Sequence, residues 1–435
     1  MTERPEELGA ADVTSGSGLR AAFYGDDFTG SVDALLQFAR RGWRGRLFVG
    51  VPDRTVLAEA ATEVDVVGIA GIARSLGSDA WEAEVRPALE ALTSLRPPVI
   101  QFKACSTADS SPDIGSLGRV IELGREIVAP AVIPLLFAQP DFGRYTVFGH
   151  HFAAENGHVY RLDRQPTMSR HPSTPMTESE LAVHLGRQTK LPIGAIPFTE
   201  YTSPADLADR LLAHGADGEV GVVLDALDDH HVSLIGGALA LLRPPVFAIG
   251  SGGLSLGLAT ADGGFAAPLP TTTTTPGPVL VVSGSRSAQT RRQAMAAASA
   301  GWHVQQLPLP ADSDAIASVV GHLRAGTSVV LTSDDAVVAA SDPLPAIARA
   351  AAEFVRAAIT DAGVRRVVVC GGDTSSRIAG LLGARSLEIA ANPWGNIVLL
   401  RAIAPGLEVD GVELLLKGGQ VGADDLFERI RTLGT

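Results

Sequence analysis

Short apolar runs alternate with stretches of helical period along most of this chain, and few architectures tolerate that rhythm. Leu19–Tyr24, Val64–Ala70, Pro98–Lys103, Ala131–Phe137, Val220–Leu224 and Pro245–Ile249 are short and predominantly apolar, as strands buried on both faces are. Between them, Asp79–Ser94, Gly115–Val128, Glu178–Gln188, Pro204–His214 and Asp228–Leu242 read as helices. In the second of these, Leu117, Val120, Ile121, Gly124 and Ile127 fall on one face. Such alternation predicts an α/β fold with mainly parallel sheets covered on both sides. Tyr145–Arg161 breaks the rhythm. Its β-branched and aromatic residues around Gly149 and Asn156-Gly157 predict a small hairpin insertion.

A threonine run, Thr271–Thr275, stands between Leu269-Pro270 and Pro276-Gly277-Pro278. It cannot build a core and interrupts both helix and sheet, so residues 269–278 are read as an interdomain linker. Beyond it the alternation restarts: strands at Val279–Val282, Ser328–Leu331 and Arg366–Cys370, helices at Ala288–Ala300, Leu344–Ala362 and Asp424–Leu433. The expected plan is a tail (1–18), a first α/β domain (19–268), the linker and a second α/β domain (279–435), with an active-site cleft between the two.

Charge and composition remove several functions. The formal charge is −13, from 35 basic and 48 acidic residues, so nucleic acid and anionic membrane are not expected partners. Two cysteines, Cys105 and Cys370, make neither a disulfide framework nor a zinc pattern. The first 18 residues are polar and acidic, which reads as a disordered tail and not a signal peptide. No apolar run approaches the ~20 residues of a membrane span. A soluble cytoplasmic protein is expected.

Chemistry concentrates at Phe23–Asp33 (FYGDDFTGSVD), where two adjacent carboxylates, a threonine and two glycines follow a strand and open a helix. Open α/β sheets bind their ligands at such strand ends. Two aspartates there can accept a proton, hold a hydroxyl or reach a metal ion. The plainer reading has one Asp capping the helix, but one cap needs one acceptor. In the second domain three strands run into small residues at a helix start: Ser283-Gly284-Ser285-Arg286-Ser287, Gly371-Gly372-Asp373-Thr374 and Lys417-Gly418-Gly419-Gln420-Val421-Gly422. Free backbone N–H groups at a helix start suit an anion. No G-x-x-x-x-G-K-[ST] loop and no G-x-G-x-x-G after a strand occurs. The residues alone support a two-domain anion-binding enzyme, and leave open a binding or sensing protein and a nucleotide-independent hydrolase or aldolase.

Several segments in this order are similar to one family: GDDFTGSVDA (25–34), FKACSTADSSPDIGSLGRVIELG (102–124), FGRYTVFGHHF (142–152), RHPSTPMTESEL (170–181), GSGGLSLGLA (250–259), SGSRSAQTRRQ (283–293), CGGDTSSRIAGLLG (370–383) and KGGQVGADDLF (417–427). Through them the chain resembles the four-carbon acid sugar kinases, formerly a domain of unknown function, over nearly its whole length. The resemblance implies an ATP-dependent kinase using Mg2+. The first domain would bind a short sugar acid and the second the nucleotide, while self-association stays open. Asp26 or Asp27 would be the catalytic base. Thr29, Gly30, Ser106 and Thr107 would meet the substrate, with Lys103, Arg144 and Arg170 as candidates for its carboxylate. Ser285, Gly372, Asp373, Thr374, Lys417, Gly418 and Gly419 would serve the nucleotide; metal ligands are not identifiable. His150 and His151 are read as hairpin residues. Many members have S-T-L-R-G where this chain has Ser106-Thr107-Ala108-Asp109-Ser110. An aspartate therefore replaces an arginine expected near the substrate carboxylate. This adds a branched or oxidised acid such as 3-oxo-isoapionate to threonate and 3-oxo-tetronate as expected substrates.

Overall fold

A computed structural model of the chain describes residues 18–261, 268–275, 277–333 and 344–434, without the side chains of Asp373 and Ser376. The tail expected for 1–18 lies outside the described residues except for Gly18. The first block contributes β1 (Ala21–Gly25), β2 (Gly45–Val49), β3 (Val66–Ala70), β4 (Val99–Lys103) and β5 (Ile133–Leu136). A side hairpin follows, β6 (Arg144–Val147), β7 (His150–Glu155) and β8 (His158–Arg161). Then come β9 (Ile193–Ile196), β10 (Gly221–Leu224) and β11 (Val246–Gly250). The second block has β12 (Val279–Ser283), β13 (His303–Gln306), β14 (Val329–Thr332), β15 (Arg366–Cys370), β16 (Ser386–Trp394), β17 (Ile397–Ile403) and β18 (Glu413–Lys417).

Both blocks belong to a single 15-stranded sheet, in the order β13-β14-β12-β15-β18-β17-β16-β2-β3-β1-β4-β11-β5-β10-β9. Pairing is parallel from β13 to β18 and again from β2 to β9 along that order, and the antiparallel β16–β17 hairpin bridges these two parallel blocks through β18 and β2. The two parallel blocks therefore run in opposite directions. Six strand-to-strand steps separate β15 from β1. A twist of about 20–25° per step turns the sheet by about 120–150° over that distance. Most of the opposition is thereby undone, and the carboxyl ends of the two blocks are brought to face one another.

Period-two alternation explains how β1 is covered. Ala21 and Phe23 join one buried cluster, Ala22 and Tyr24 another on the opposite face. The first of these clusters crosses the seam, packing Leu35, Phe38 and Leu47 with Ile378, Leu387 and Leu400. The threonine run is tied down as well. Buried Thr273 donates to Glu413 (3.0 Å) and accepts from Arg366 (2.7 Å), and Thr275 donates to Glu413 at 2.7 Å. These bonds strap the run to the buried Arg366–Glu413 pair (2.9 Å) at the amino ends of β15 and β18.

The hairpin expected at Tyr145–Arg161 is a three-stranded antiparallel sheet. Asn156 (φ +50°) and Gly157 (φ +80°) make its turn, the left-handed pair that an Asn-Gly type I′ turn requires. Ala153 of this sheet packs on Leu162, Met168 and Met176, a small core separate from the main ones.

Candidate active site

In register at the carboxyl edge of the first block stand Gly25, Lys103 and Gly250, on β1, β4 and β11. β1 is the switch strand: the chain leaves it toward β2 on one side and later crosses to β4 on the other, the place where open sheets make a crevice. Asp26 and Asp27 follow Gly25, and the first helix, Phe28–Ala39, begins at once. Asp27 is its N-cap, Oδ1 accepting from the Gly30 N–H at 2.9 Å. The capping reading thus accounts for one oxygen of one aspartate.

Arg74, on the short turn Ala73–Ser75 after β3, holds that same oxygen and both oxygens of Asp26. Its Nη2 donates to Asp26 Oδ1 (2.6 Å) and Asp27 Oδ1 (2.7 Å), and its Nε to Asp26 Oδ2 (3.2 Å). Burial pushes the Asp26 carboxyl above its ordinary range, against the pull of Arg74. Burial also works against the Arg74 cation, yet Asp26 and Asp27 together hold it well above its ordinary value. Asp27 keeps its Oδ2 without a hydrogen bond among the described residues, and its side chain is 30% exposed against 5% for Asp26. A Cβ on Gly30 would stand 2.3 Å from Asp27 Oδ1 and 3.1 Å from Lys103 Nζ. Only glycine fits beneath that cluster.

These groups open into a pocket of about 220 Å3 lined by Asp26, Asp27, Arg74, Ser75, His171, Ser173, Thr174 and, from the second block, Gly372. Gly372 begins the helix Gly372–Leu381, and a Cβ on it would lie 3.9 Å from Thr29 Oγ1. The two helix starts therefore face each other across the cleft. A cavity of about 740 Å3, lined by residues including Trp43, Arg46, Leu269 and Glu388, lies at the other end of the seam.

Other residues predicted for the substrate side stand behind this pocket. Lys103 is buried, donates to the Ala104 carbonyl at 3.0 Å and stands 3.8 Å from Asp33. Thr107 donates to Asp109 at 2.5 Å, and the Ser106 carbonyl accepts from His151 Nε2 at 2.7 Å. That contact puts the imidazole proton on Nε2, so Nδ1 accepts from the Thr146 hydroxyl at 3.0 Å. Burial lowers His151 to about 4. Arg144 spends its Nη1 on the carbonyls of Phe142 (2.8 Å) and Ala154 (3.1 Å), holding the hairpin together. Arg170 is exposed, one residue from the pocket-lining His171.

The second carboxyl edge has a different make-up. Ser283, Cys370 and Lys417 end β12, β15 and β18 in register, and the three loops after them interlock. Ser287 and Thr290 donate to the Gly419 carbonyl at 2.6 and 2.8 Å. A Cβ on Gly419 would lie 2.1 Å from Ser285 Oγ, and one on Gly284 2.1 Å from Thr374 Oγ1. Gly371 has φ +116°, a conformation left to glycine. Lys417 Nζ donates to the Gly418 carbonyl (3.2 Å) and lies 3.4 Å from Thr290 Oγ1, and burial lowers its pKa. Small side chains and close backbones give this edge the make-up that suits an anion.

Residues 21–258 match the sugar-binding N-terminal domain and residues 280–427 the nucleotide-binding C-terminal domain. The chain belongs to the four-carbon acid sugar kinase family. It is 35% identical to a 3-oxo-isoapionate kinase of Paraburkholderia graminis, covering 99% of this chain and 98% of that one. A 3-oxo-tetronate kinase of Methylobacterium radiotolerans is 31% identical, over 93% and 96%. A D-threonate kinase of Bordetella bronchiseptica is 28% identical, over 93% and 95%. The fold is shared with a Haemophilus influenzae protein of family DUF1537, with TM-score 0.73 at 21% identity over 95% of this chain and all of that one. No helix among the described residues is long and apolar enough to cross a membrane.

Within this family framework the sequence reading passed over Arg74, His171, Ser173 and Thr174, all of which line the pocket. For Arg74 the signal was faint: a single arginine in GIARS after a strand. For the other three it was present, since RHPST opens a segment already singled out for Arg170.

Proposed function

We propose that the chain is an ATP-dependent kinase that phosphorylates a hydroxyl of a short sugar acid in the cytoplasm, with an oxidised branched acid of the 3-oxo-isoapionate type as the preferred substrate. The supporting observation is the pocket that Asp27 of the first block shares with the Gly372 helix start of the second. Phosphoryl transfer needs a base at the acceptor hydroxyl and a phosphate cradle in line with it, and a pocket lined by both Asp27 and the start of the Gly372 helix supports that reading. The substrate preference rests on the 35% identity to the 3-oxo-isoapionate kinase, against 28–31% to the two other relatives. It rests also on Asp109, bound to Thr107 where many members carry arginine.

In this reading Asp27 is the base. Both Asp26 oxygens are taken by Arg74, whereas Oδ2 of Asp27 is free among the described residues and Asp27 lines the pocket. The acceptor hydroxyl gives its proton to that oxygen as its own oxygen attacks the γ-phosphorus, and ADP leaves. Asp26 and Arg74 fix the position of Asp27, Lys103 adds positive charge beneath it, and Thr29 stands at the junction with the nucleotide side.

In the same reading a triphosphate lies along the loops of Gly284, Gly371, Gly372 and Gly419, with Ser285, Thr374, Asp373 and Gly418 around it and Lys417 near its phosphates. Among the described residues no group of three or more His, Cys, Asp or Glu could hold a metal ion. Mg2+ would arrive on the nucleotide, bound mainly by phosphate and water, and would neutralise charge on the transferring group. The test is coupled ADP release with a panel of C4 to C6 sugar acids and their oxo derivatives. We expect 3-oxo-isoapionate to give the highest kcat/KM. ATP hydrolysis that no acid stimulates would refute the kinase assignment.

A further inference from the structure

We infer that the turn after the short helix Met168–Arg170 is the carboxylate subsite of this pocket, with His171 as its specificity-determining donor. The inference rests on the kinase reading for the identity of the ligand and on geometry for everything else. The wall formed by Asp26 and Asp27 carries two carboxylates against the one guanidinium of Arg74, and the Lys103 cation beneath it already stands 3.8 Å from Asp33. A substrate carboxylate placed there would meet like charge, so the acid must enter hydroxyl end first and leave its carboxylate away from the pair. Apart from Ser75, the polar side chains that line the pocket outside the Asp26, Asp27 and Arg74 cluster are His171, Ser173 and Thr174.

His171 is preset for the task. Its Nδ1 accepts from the Thr174 backbone N–H (3.1 Å) and stands 2.9 Å from the Thr174 hydroxyl. An imidazole nitrogen that accepts a backbone N–H holds no proton, so the proton is on Nε2. Among the described residues Nε2 has no hydrogen-bond partner, which leaves an N–H donor on a residue that lines the pocket. The turn is itself held rigidly. The Met168 carbonyl accepts from the His171 and Met176 N–H groups at 3.2 and 2.8 Å, and both methionines are buried against the side hairpin. The hairpin insertion thus acts as the mount for a binding turn, which gives it a reason to interrupt the α/β rhythm.

The experiment uses the full chain and measures acid binding directly by calorimetry, without ATP, for a panel of C4 and C5 sugar acids and the matching polyols that lack the carboxylate. For any acid that binds, His171→Phe should weaken binding roughly 10–100-fold, the worth of a hydrogen bond to a charged group. His171→Gln, which can place an N–H near the position of Nε2, should recover most of that loss. Neither variant should alter ADP affinity or polyol binding. An unchanged acid affinity in His171→Phe would overturn the subsite, as would equal losses for acid and polyol. Failure of every acid to bind the unaltered protein would overturn it too. Carboxylate-dependent, His171-dependent binding without any ATP turnover would keep the subsite and remove the kinase reading instead.

Discussion

The two facing strand edges solve opposite problems. The edge of β1 and β4 is crowded with charge: Asp26, Asp27 and Lys103 with Arg74 above them, most of it buried and paired. The edge of β12, β15 and β18 has serines, threonines and glycines, with Lys417 as its one buried cation among the described residues. Buried charges hold each other in fixed positions but become costly when one partner is removed. Backbone N–H groups and hydroxyls receive an anion with little rearrangement, provided no side chain fills the cradle. One edge suits proton removal from a small polar substrate; the other suits a ligand that brings its own charge. Damage to the first should therefore appear in chemistry and stability, and damage to the second in nucleotide affinity.

The largest effect is expected at Asp27. Asp27→Asn retains a helix cap but removes the proposed base, and should lower kcat by on the order of 10²–10⁴ with ADP affinity unchanged. Single-turnover rates and ADP calorimetry check this together. A near-normal kcat would reduce Asp27 to the cap that it also is.

Arg74→Met should come next. It leaves two adjacent carboxylates, one of them buried, without their cation, at an expected cost of about 3–5 kcal/mol read from urea unfolding. Adding Asp26→Asn should return part of that stability. Full additivity of the two changes would show that the pair is not coupled.

A smaller, pH-dependent effect is expected at His151, which braces the Ser106 loop behind the charged edge. Its folded-state value is lowered from 6.5 to about 4, so on acidification the unfolded chain takes the proton first. Its contribution is complete above about pH 6.5 and falls away down to about pH 4, a loss of up to about 3 kcal/mol. His151→Asn should flatten that part of the stability–pH curve, measured as the difference from the unaltered chain. Curves of equal slope would show that His151 does not carry this part of the pH dependence.

The smallest effect belongs to the second edge. Gly284→Ala would set a Cβ 2.1 Å from Thr374 Oγ1, and the resulting shift should weaken ADP binding by about tenfold while KM for the acid stays put. Equal losses for both ligands would mean that the edges are not functionally separate.

Much of this was legible in the sequence because it is local. Apolar runs and helical stripes announce β1, β4 and β15 through the side chains of the residues themselves. Asn156-Gly157 announces its turn because few other pairs accept two positive φ angles in succession. The aspartate pair and the glycine loops were visible for the same reason: strand, turn and helix start are neighbours in the chain. The joining of the two blocks was not. β2 is five residues long, and β16 carries Asn392-Pro393, which reads as a loop; their pairing is decided by the core that Leu47 and Leu387 share. The guanidinium of Arg74 lies 47 residues from Asp27 in sequence and 2.7 Å from it in space, and His171 reaches the same pocket from the mount of a side hairpin. Local chemistry in the sequence determined which groups each strand end would offer. Only the tertiary structure, by folding distant segments onto one twisted sheet, decided which of them meet.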